Sequence, residues 1–141
     1  MAITAGGVRL LDDTYNANPG SLAAALQVLR TIPASGKRWA ILGDMLELGD
    51  NAAELHREVG GEAAFLDGLI TVGDLARELG RGATAGGLSP AWIHEAASGE
   101  EAGALAASLL HAGDVILVKG SRGMHLETAV ARLEDLLGER D

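Results

Sequence analysis

The sequence contains no cysteine, which excludes disulfides and thiolate nucleophiles and leaves a reducing compartment open to the chain. Aromatic residues make up only 3%, so Leu, Ala, Val and Ile must fill the interior. Basic residues are scarce: 11 Lys and Arg stand against 20 Asp and Glu, for a formal net charge of -9. A surface of that sign offers no footprint for a phosphate backbone, which argues against nucleic acid as a partner. No apolar run reaches membrane-spanning length, and Met1 to Gly7 lacks a charged segment followed by an apolar one. The expectation is a cytoplasmic protein that meets no membrane. Also missing are a GxxxxGK(S/T) phosphate loop, a GxGxxG turn after a strand and a GxSxG elbow. A chain without them has no triphosphate cradle or serine nucleophile of a standard kind.

What is present is a chain of 141 residues, 48% hydrophobic, with a mean hydropathy of +0.17. That is the length and composition of one globular domain with a real core. Short apolar runs alternate with helical periodicities. Ala2 to Thr4 turns through Gly6-Gly7 into Val8 to Leu11 as a hairpin. Asn18 as N-cap and Pro19 at the first helical position open a helix carrying Leu22, Leu26 and Leu29, which Pro33 stops. Trp39 to Leu42 reads as a buried strand. Asn51 with Glu54 has the form of a capping box ahead of Leu55, Val59 and Ala63. Leu69 to Val72 is a third buried strand, and Asp74 is a candidate N-cap for a short helix to Leu79. Gly80 to Pro90 has no clear period. Trp92 to Glu95 is read as a strand, and Ser98 with Glu101 begins a helix to about His111. Asp114 to Lys119 is the strongest strand, and Leu126, Val130, Leu133 and Leu137 mark the last helix. Strands that are continuous apolar runs, alternating with helices, predict a mostly parallel sheet covered on both faces. The fold expected is α/β, a Rossmann-like three-layer sandwich with an antiparallel edge strand from the N-terminal hairpin.

Three polar stretches follow strands, where doubly wound sheets place ligands. The first, Asp12-Asp13-Thr14-Tyr15-Asn16-Ala17-Asn18-Pro19, crowds carboxylates, amides and a hydroxyl before a helix start. A solvated Asx turn is the alternative reading of the same residues. The second, Lys119-Gly120-Ser121-Arg122-Gly123, sets two cations and a hydroxyl in a very acidic chain and suggests a held anion; a solvated surface turn is its alternative. The third, Gly43-Asp44-Met45-Leu46-Glu47-Leu48-Gly49, carries carboxylates that no histidine pair at ligand spacing accompanies, so no metal site is expected. His56 lies beside the apolar face of its helix, as a packed or solvated residue or as a weaker site candidate with Asp44 and Glu47.

In order and spacing, these three motifs, with Glu54-Leu55-His56 after the third, closely resemble the C-terminal domain of the Mur ligase family. The match covers nearly the whole chain. Tyr15-Asn16-Ala17-Asn18, where sister ligases tend to differ, favours the branch that adds D-alanyl-D-alanine to UDP-N-acetylmuramoyl-tripeptide. The resemblance implies an ATP-dependent peptide ligase of cytoplasmic peptidoglycan precursor synthesis. The tripeptide carboxylate becomes an acyl phosphate, which the dipeptide amine attacks. ATP and Mg2+ would be held mainly by a central domain, and the UDP moiety by an N-terminal one. By the same resemblance Asp13 would bond the ATP ribose, and Tyr15, Asn16 and Asn18 would line the closed interface. Lys119, Ser121 and Arg122 would hold the dipeptide carboxylate or developing phosphate charge. Residues 1–141 would then be a single domain of a three-domain ligase, a monomer, inactive and without bound cofactor by itself. A free-standing module binding a nucleotide or small anion, or the same domain of another Mur-type amino-acid ligase, are the alternatives.

Overall fold

A computed structural model describes residues 2–3 and 6–138. Its element order is β1 (Ala2–Ile3), β2 (Arg9–Asp13), α1 (Pro19–Thr31), β3 (Arg38–Gly43), α2 (Ala52–Gly60), β4 (Gly68–Val72), α3 (Ala76–Ala85), β5 (Ile93–Ala96), α4 (Gly99–Leu109), β6 (Val115–Lys119) and α5 (Glu127–Gly138). The strands form one sheet in the order β1-β2-β6-β3-β4-β5. Five of them are parallel, and β1 pairs antiparallel with β2 at the edge through Ala2 opposite Leu10. The expected end of β1 at Thr4 lies outside the described residues.

Alternate residues of each strand feed two cores. Trp39, Ile41, Ile116 and Val118 face α4 and α5, where Ala102 and Ala106 of α4, Leu133 of α5 and Leu126 just before it close that side. Ala40, Leu42, Val115 and Leu117 face α1 to α3, against Leu22, Leu26, Val59 and Leu79. The result is the three-layer α/β/α sandwich that the apolar runs imply. It also makes β6 special. The helix after β6 lies on one face, whereas those after its neighbours β2 and β3 lie on the other. Where following helices diverge in this way, a crevice opens at the carboxyl ends of the strands.

Local signals set most boundaries. Asn18 caps α1, accepting from the Ser21 N–H at 2.9 Å, while Ser21 Oγ accepts from the Asn18 N–H at 3.0 Å. Ser98 Oγ accepts from the Glu101 N–H, and the Glu101 carboxylate reaches the Ala97 N–H instead of closing the box on Ser98. That helix ends at Leu109, two residues before His111. Two other expected caps are corrected. Asn51 makes no side-chain cap, because the chain enters α2 through a 3-10 turn over Gly49–Asn51. Nor does Asp74 cap α3; Leu75 occupies that position, and the cap is the distant carboxylate of Asp44.

The α3 helix also runs well past Leu79, to Ala85. Glycine in a helix interior costs about 1 kcal/mol relative to alanine. Here it allows α2 and α3 to touch backbone to backbone: a Cβ on Gly82 would overlap the Arg57 carbonyl oxygen, and one on Gly60 that of Leu79. Packing decides what propensity opposes. Across the same contact, Arg57 donates to Glu78 at 2.6 and 3.0 Å, and Arg81 pairs with the other carboxylate oxygen.

Candidate functional site

The loops after β2, β3 and β6 meet at the crevice and are tied to one another. Lys119, the last residue of β6, is 2% exposed. Its ammonium donates to Asp13 Oδ2 at 2.6 Å and to the Asn16 carbonyl at 2.9 Å, which fixes the end of β2 and the turn after it. Ser121, also buried, joins all three loops. Its Oγ accepts the Leu46 N–H at 2.8 Å and donates to the Ala17 carbonyl at 3.4 Å, and its own N–H donates to the Asp44 carbonyl at 3.2 Å. Asp12 shapes the first turn by accepting from Thr14 Oγ1 at 2.9 Å.

The third loop is anchored from below. Asp44 Oδ1 accepts the Ala76 N–H at 2.7 Å, which satisfies one of the orphan donors at the start of α3. Burial pushes the Asp44 carboxyl above its ordinary value, and the Ala76 hydrogen bond opposes that shift. Gly73 follows β4 at a φ of 109°, and a Cβ there would strike the Asp44 carboxylate. His56 is fully buried, with Nε2 2.9 Å from the Met45 nitrogen. Thus the histidine and Asp44 hold the loop in place, while Glu47 is exposed at its tip with a left-handed φ of 63°.

Two clefts open between these loops. One, of about 310 Å³, is lined by Asn16, Ala17, Leu46, Glu47, Ser121 and Arg122 together with Gly123. The other, of about 380 Å³, is lined by Thr14, Tyr15, Arg122, His125 and Glu127. Arg122 forms a wall of both. Its guanidinium carbon sits 5.1 Å from the centre of the Tyr15 ring, which is 71% exposed. Among the described residues Arg122 makes no ion pair. Somewhat larger hollows lie around Arg77 and Glu95, but their side chains already pair with each other at 3.3 Å. Convergence of loops, not volume, marks the site.

The structure therefore gathers Asp13, Tyr15, Asn16, Glu47, Lys119, Ser121 and Arg122 on one rim, with Asn18, Asp44 and His56 engaged in holding it. Thr14, Leu46 and His125 also line the clefts and were not among the predicted site residues. Thr14 and Leu46 lie inside two of the polar stretches that follow strands, whereas His125 lies beyond the third and takes a left-handed φ of 53°. Among the described residues no three His, Asp or Glu side chains converge as a metal site would require. No helix among them is long and apolar enough to cross a membrane.

These features define an α/β domain of the doubly wound class with a polar rim built from the loops at and beside its switch strand. The model of the Mur ligase glutamate ligase domain matches residues 1–122, and the chain belongs to the Mur ligase family. It is 37% identical over 134 residues to the UDP-N-acetylmuramoyl-tripeptide--D-alanyl-D-alanine ligase of Bacillus subtilis, covering 92% of this chain and 29% of that protein. The enzyme of the same name from Escherichia coli is 38% identical over 128 residues, covering 89% and 27%. The crystal structure of MurF ligase from Thermotoga maritima in complex with ADP superposes with a TM-score of 0.80 at 30% identity, over 96% of this chain and 30% of that one. The chain thus spans somewhat under a third of the length of these relatives.

Proposed function

We propose that this chain is the C-terminal domain of an ATP-dependent ligase that joins D-alanyl-D-alanine to UDP-N-acetylmuramoyl-tripeptide, and that its rim is one wall of a cleft completed by the rest of that enzyme. The observation that carries the reading is the mutual tying of three loops by Lys119 and Ser121 at the ends of β2, β6 and β3. A rim fixed in this way presents its remaining groups in a preorganised array.

Their roles divide by what the protein already uses. Lys119 and Ser121 spend their polar atoms on the rim itself, so they orient it. Asp13 has one oxygen on Lys119 and a half-exposed carboxylate, which supports a role in accepting from a ribose hydroxyl of ATP. Tyr15 and Asn16 are exposed and Asn18 caps α1 behind them; together they line the closed interface. Arg122, whose guanidinium makes no ion pair among the described residues, is the group suited to the dipeptide carboxylate, which two parallel N–H donors recognise best. Mg2+ and the triphosphate belong mainly to the central domain in this reading, as the family resemblance implies. When bound, ATP supplies the activating phosphoryl group. The chain's own part is to position the amine donor and shield the cleft from water.

In the complete ligase, Arg122→Ala is expected to raise the dipeptide KM by roughly 10- to 100-fold, the value of a lost charge-assisted hydrogen bond, with the ATP KM nearly unchanged. Unaltered dipeptide kinetics would remove Arg122 from the site. Residues 1–141 alone are expected to form no ADP from ATP with both peptide substrates; ADP formation would overturn the division of labour.

A further inference from the structure

His56 is fully buried, and both its ring nitrogens meet backbone groups. The Met45 nitrogen, 2.9 Å from Nε2, can only donate. Nε2 therefore carries a lone pair and no proton. The Ala52 carbonyl, 2.6 Å from Nδ1, can only accept. Nδ1 therefore carries the proton, and the backbone partners leave a single tautomer of the neutral ring. That ring bridges the first turn of α2 to the loop after β3.

The loop it meets is held from two sides. Ser121 takes the Leu46 N–H and gives its own N–H to the Asp44 carbonyl, while His56 takes the N–H of Met45 between them. Glu47 comes next, in a left-handed conformation that few non-glycine residues adopt. Such a conformation persists where the surroundings over-determine it, and these bonds to residues 44–46 do so. The same residues, Leu46 and Glu47, line the cleft together with Arg122.

We infer that His56 is a positioning residue of the cleft: as the neutral Nδ1-protonated imidazole, it locks the Met45 backbone and so sets where Leu46 and Glu47 stand in the cleft they share with Asn16 and Arg122. The inference rests on the reading of that cleft as the ligase wall. Its mechanism, however, is tested on the chain alone. Long-range proton–nitrogen correlation spectra of residues 1–141 should show a protonated Nδ1 and a bare Nε2. His56→Leu fills the space without an acceptor. It should speed amide exchange at Met45 about five- to tenfold, the worth of one hydrogen bond, and displace the Leu46, Glu47 and Ser121 signals while the β4 and β6 amides keep their positions. His56→Gln places an oxygen near the position of Nε2 and should restore the Met45 protection. If His56→Leu does not fold, His56→Asn, whose amide keeps a donor for Ala52 while its oxygen falls short of the Nε2 position, takes its place with the same expectation. A protonated Nε2, or Met45 to Glu47 signals and exchange that ignore the loss of the acceptor, would overturn the inference. Failure of the ligase reading looks different: the turn would respond as described, while Arg122→Ala left the dipeptide kinetics of the complete enzyme untouched.

Discussion

Asp13→Asn removes the carboxylate that meets the buried Lys119 ammonium, and Lys119→Met removes the ammonium but keeps most of its apolar stem. The two changes break one ion pair, yet their costs should differ. After Asp13→Asn, a cation that is 2% exposed retains only the Asn16 carbonyl and an amide oxygen as partners. Stripping one partner from a fully buried pair costs about 3–5 kcal/mol. Asp13 is 45% exposed, so solvent already screens the pair, and a discounted cost of roughly 2–3 kcal/mol is expected. After Lys119→Met, the orphaned carboxylate can rehydrate, and a cost of about 0–1 kcal/mol is expected. In a domain of this size each kcal/mol moves Tm by about 3–5 °C. Asp13→Asn should thus lower Tm by roughly 6–15 °C and Lys119→Met by no more than about 5 °C. The double variant should lose less than the sum of the two single losses, because the buried cation is gone. Thermal and urea melts of residues 1–141 read these differences directly. A Lys119→Met loss equal to or larger than that of Asp13→Asn would refute the argument that burial of the ammonium dominates the pair.

Two carboxylates should give opposite trends with pH. The Arg57 hydrogen bond holds Glu78 below its ordinary value of 4.5, so its contribution is complete above that value and is lost as pH falls through the depressed one. Glu78→Gln should therefore lose stability at neutral pH and converge on the parent in acid, as melts across that range will show. Burial raises Asp44 above its ordinary 3.8, so its contribution is complete below that value and is lost as pH rises through the raised one. Asp44→Asn, whose amide oxygen can still accept from Ala76, should gain on the parent as pH rises; a fixed difference would mean the carboxyl is unshifted. Between helices, Gly82→Ala drives a methyl group into the Arg57 carbonyl and should cost about 1–3 kcal/mol or more. Gly61→Ala, in helical conformation with open space around its Cβ position, should be neutral or stabilising by up to about 1 kcal/mol. Equal melting of the two would show that α2 and α3 do not need their close approach.

The elements legible in the sequence are those fixed by neighbours in the chain. Val115 to Val118 is apolar on both faces, Asn18-Pro19 starts a helix by its own chemistry, and Ser98 caps the helix beside it. What escaped was set from far away. The α3 helix continues through Gly80 and Gly82 because α2 lies against it, and its N-terminus is capped from 32 residues upstream by Asp44. No local pattern announces either. The position of the rim followed from the placing of polar loops after strands, but not how those loops divide their work. Lys119 reads in sequence as half of a cationic pair with Arg122, yet it finds its carboxylate 106 residues away and is buried by it. His56 reads as an ambiguous histidine because both its partners are backbone atoms, which leave no trace in residue types.

That division narrows the chemistry left at the cleft. Lys119 ends the switch strand and points back into the loops. Arg122 is three residues further on, in a 3-10 turn over Arg122–Met124 that has cleared the sheet. A guanidinium over a tyrosine ring gains about 0.5–1 kcal/mol at an exposed site, and among the described residues no hydrogen bond uses the Arg122 side-chain donors. The ring thus holds the group while leaving N–H donors for a carboxylate. Arg122→Lys keeps the charge but loses both the fork and the flat contact, so in the complete ligase it should recover only a small part of what Arg122→Ala loses. Tyr15→Phe should preserve the stacking and act almost as the parent, whereas Tyr15→Ala should raise the dipeptide KM by about two- to fivefold, as expected for a stacking energy of that size. Full recovery by lysine would show that the cleft needs only a positive charge, and the planar geometry set by Tyr15 would then have no part in recognition.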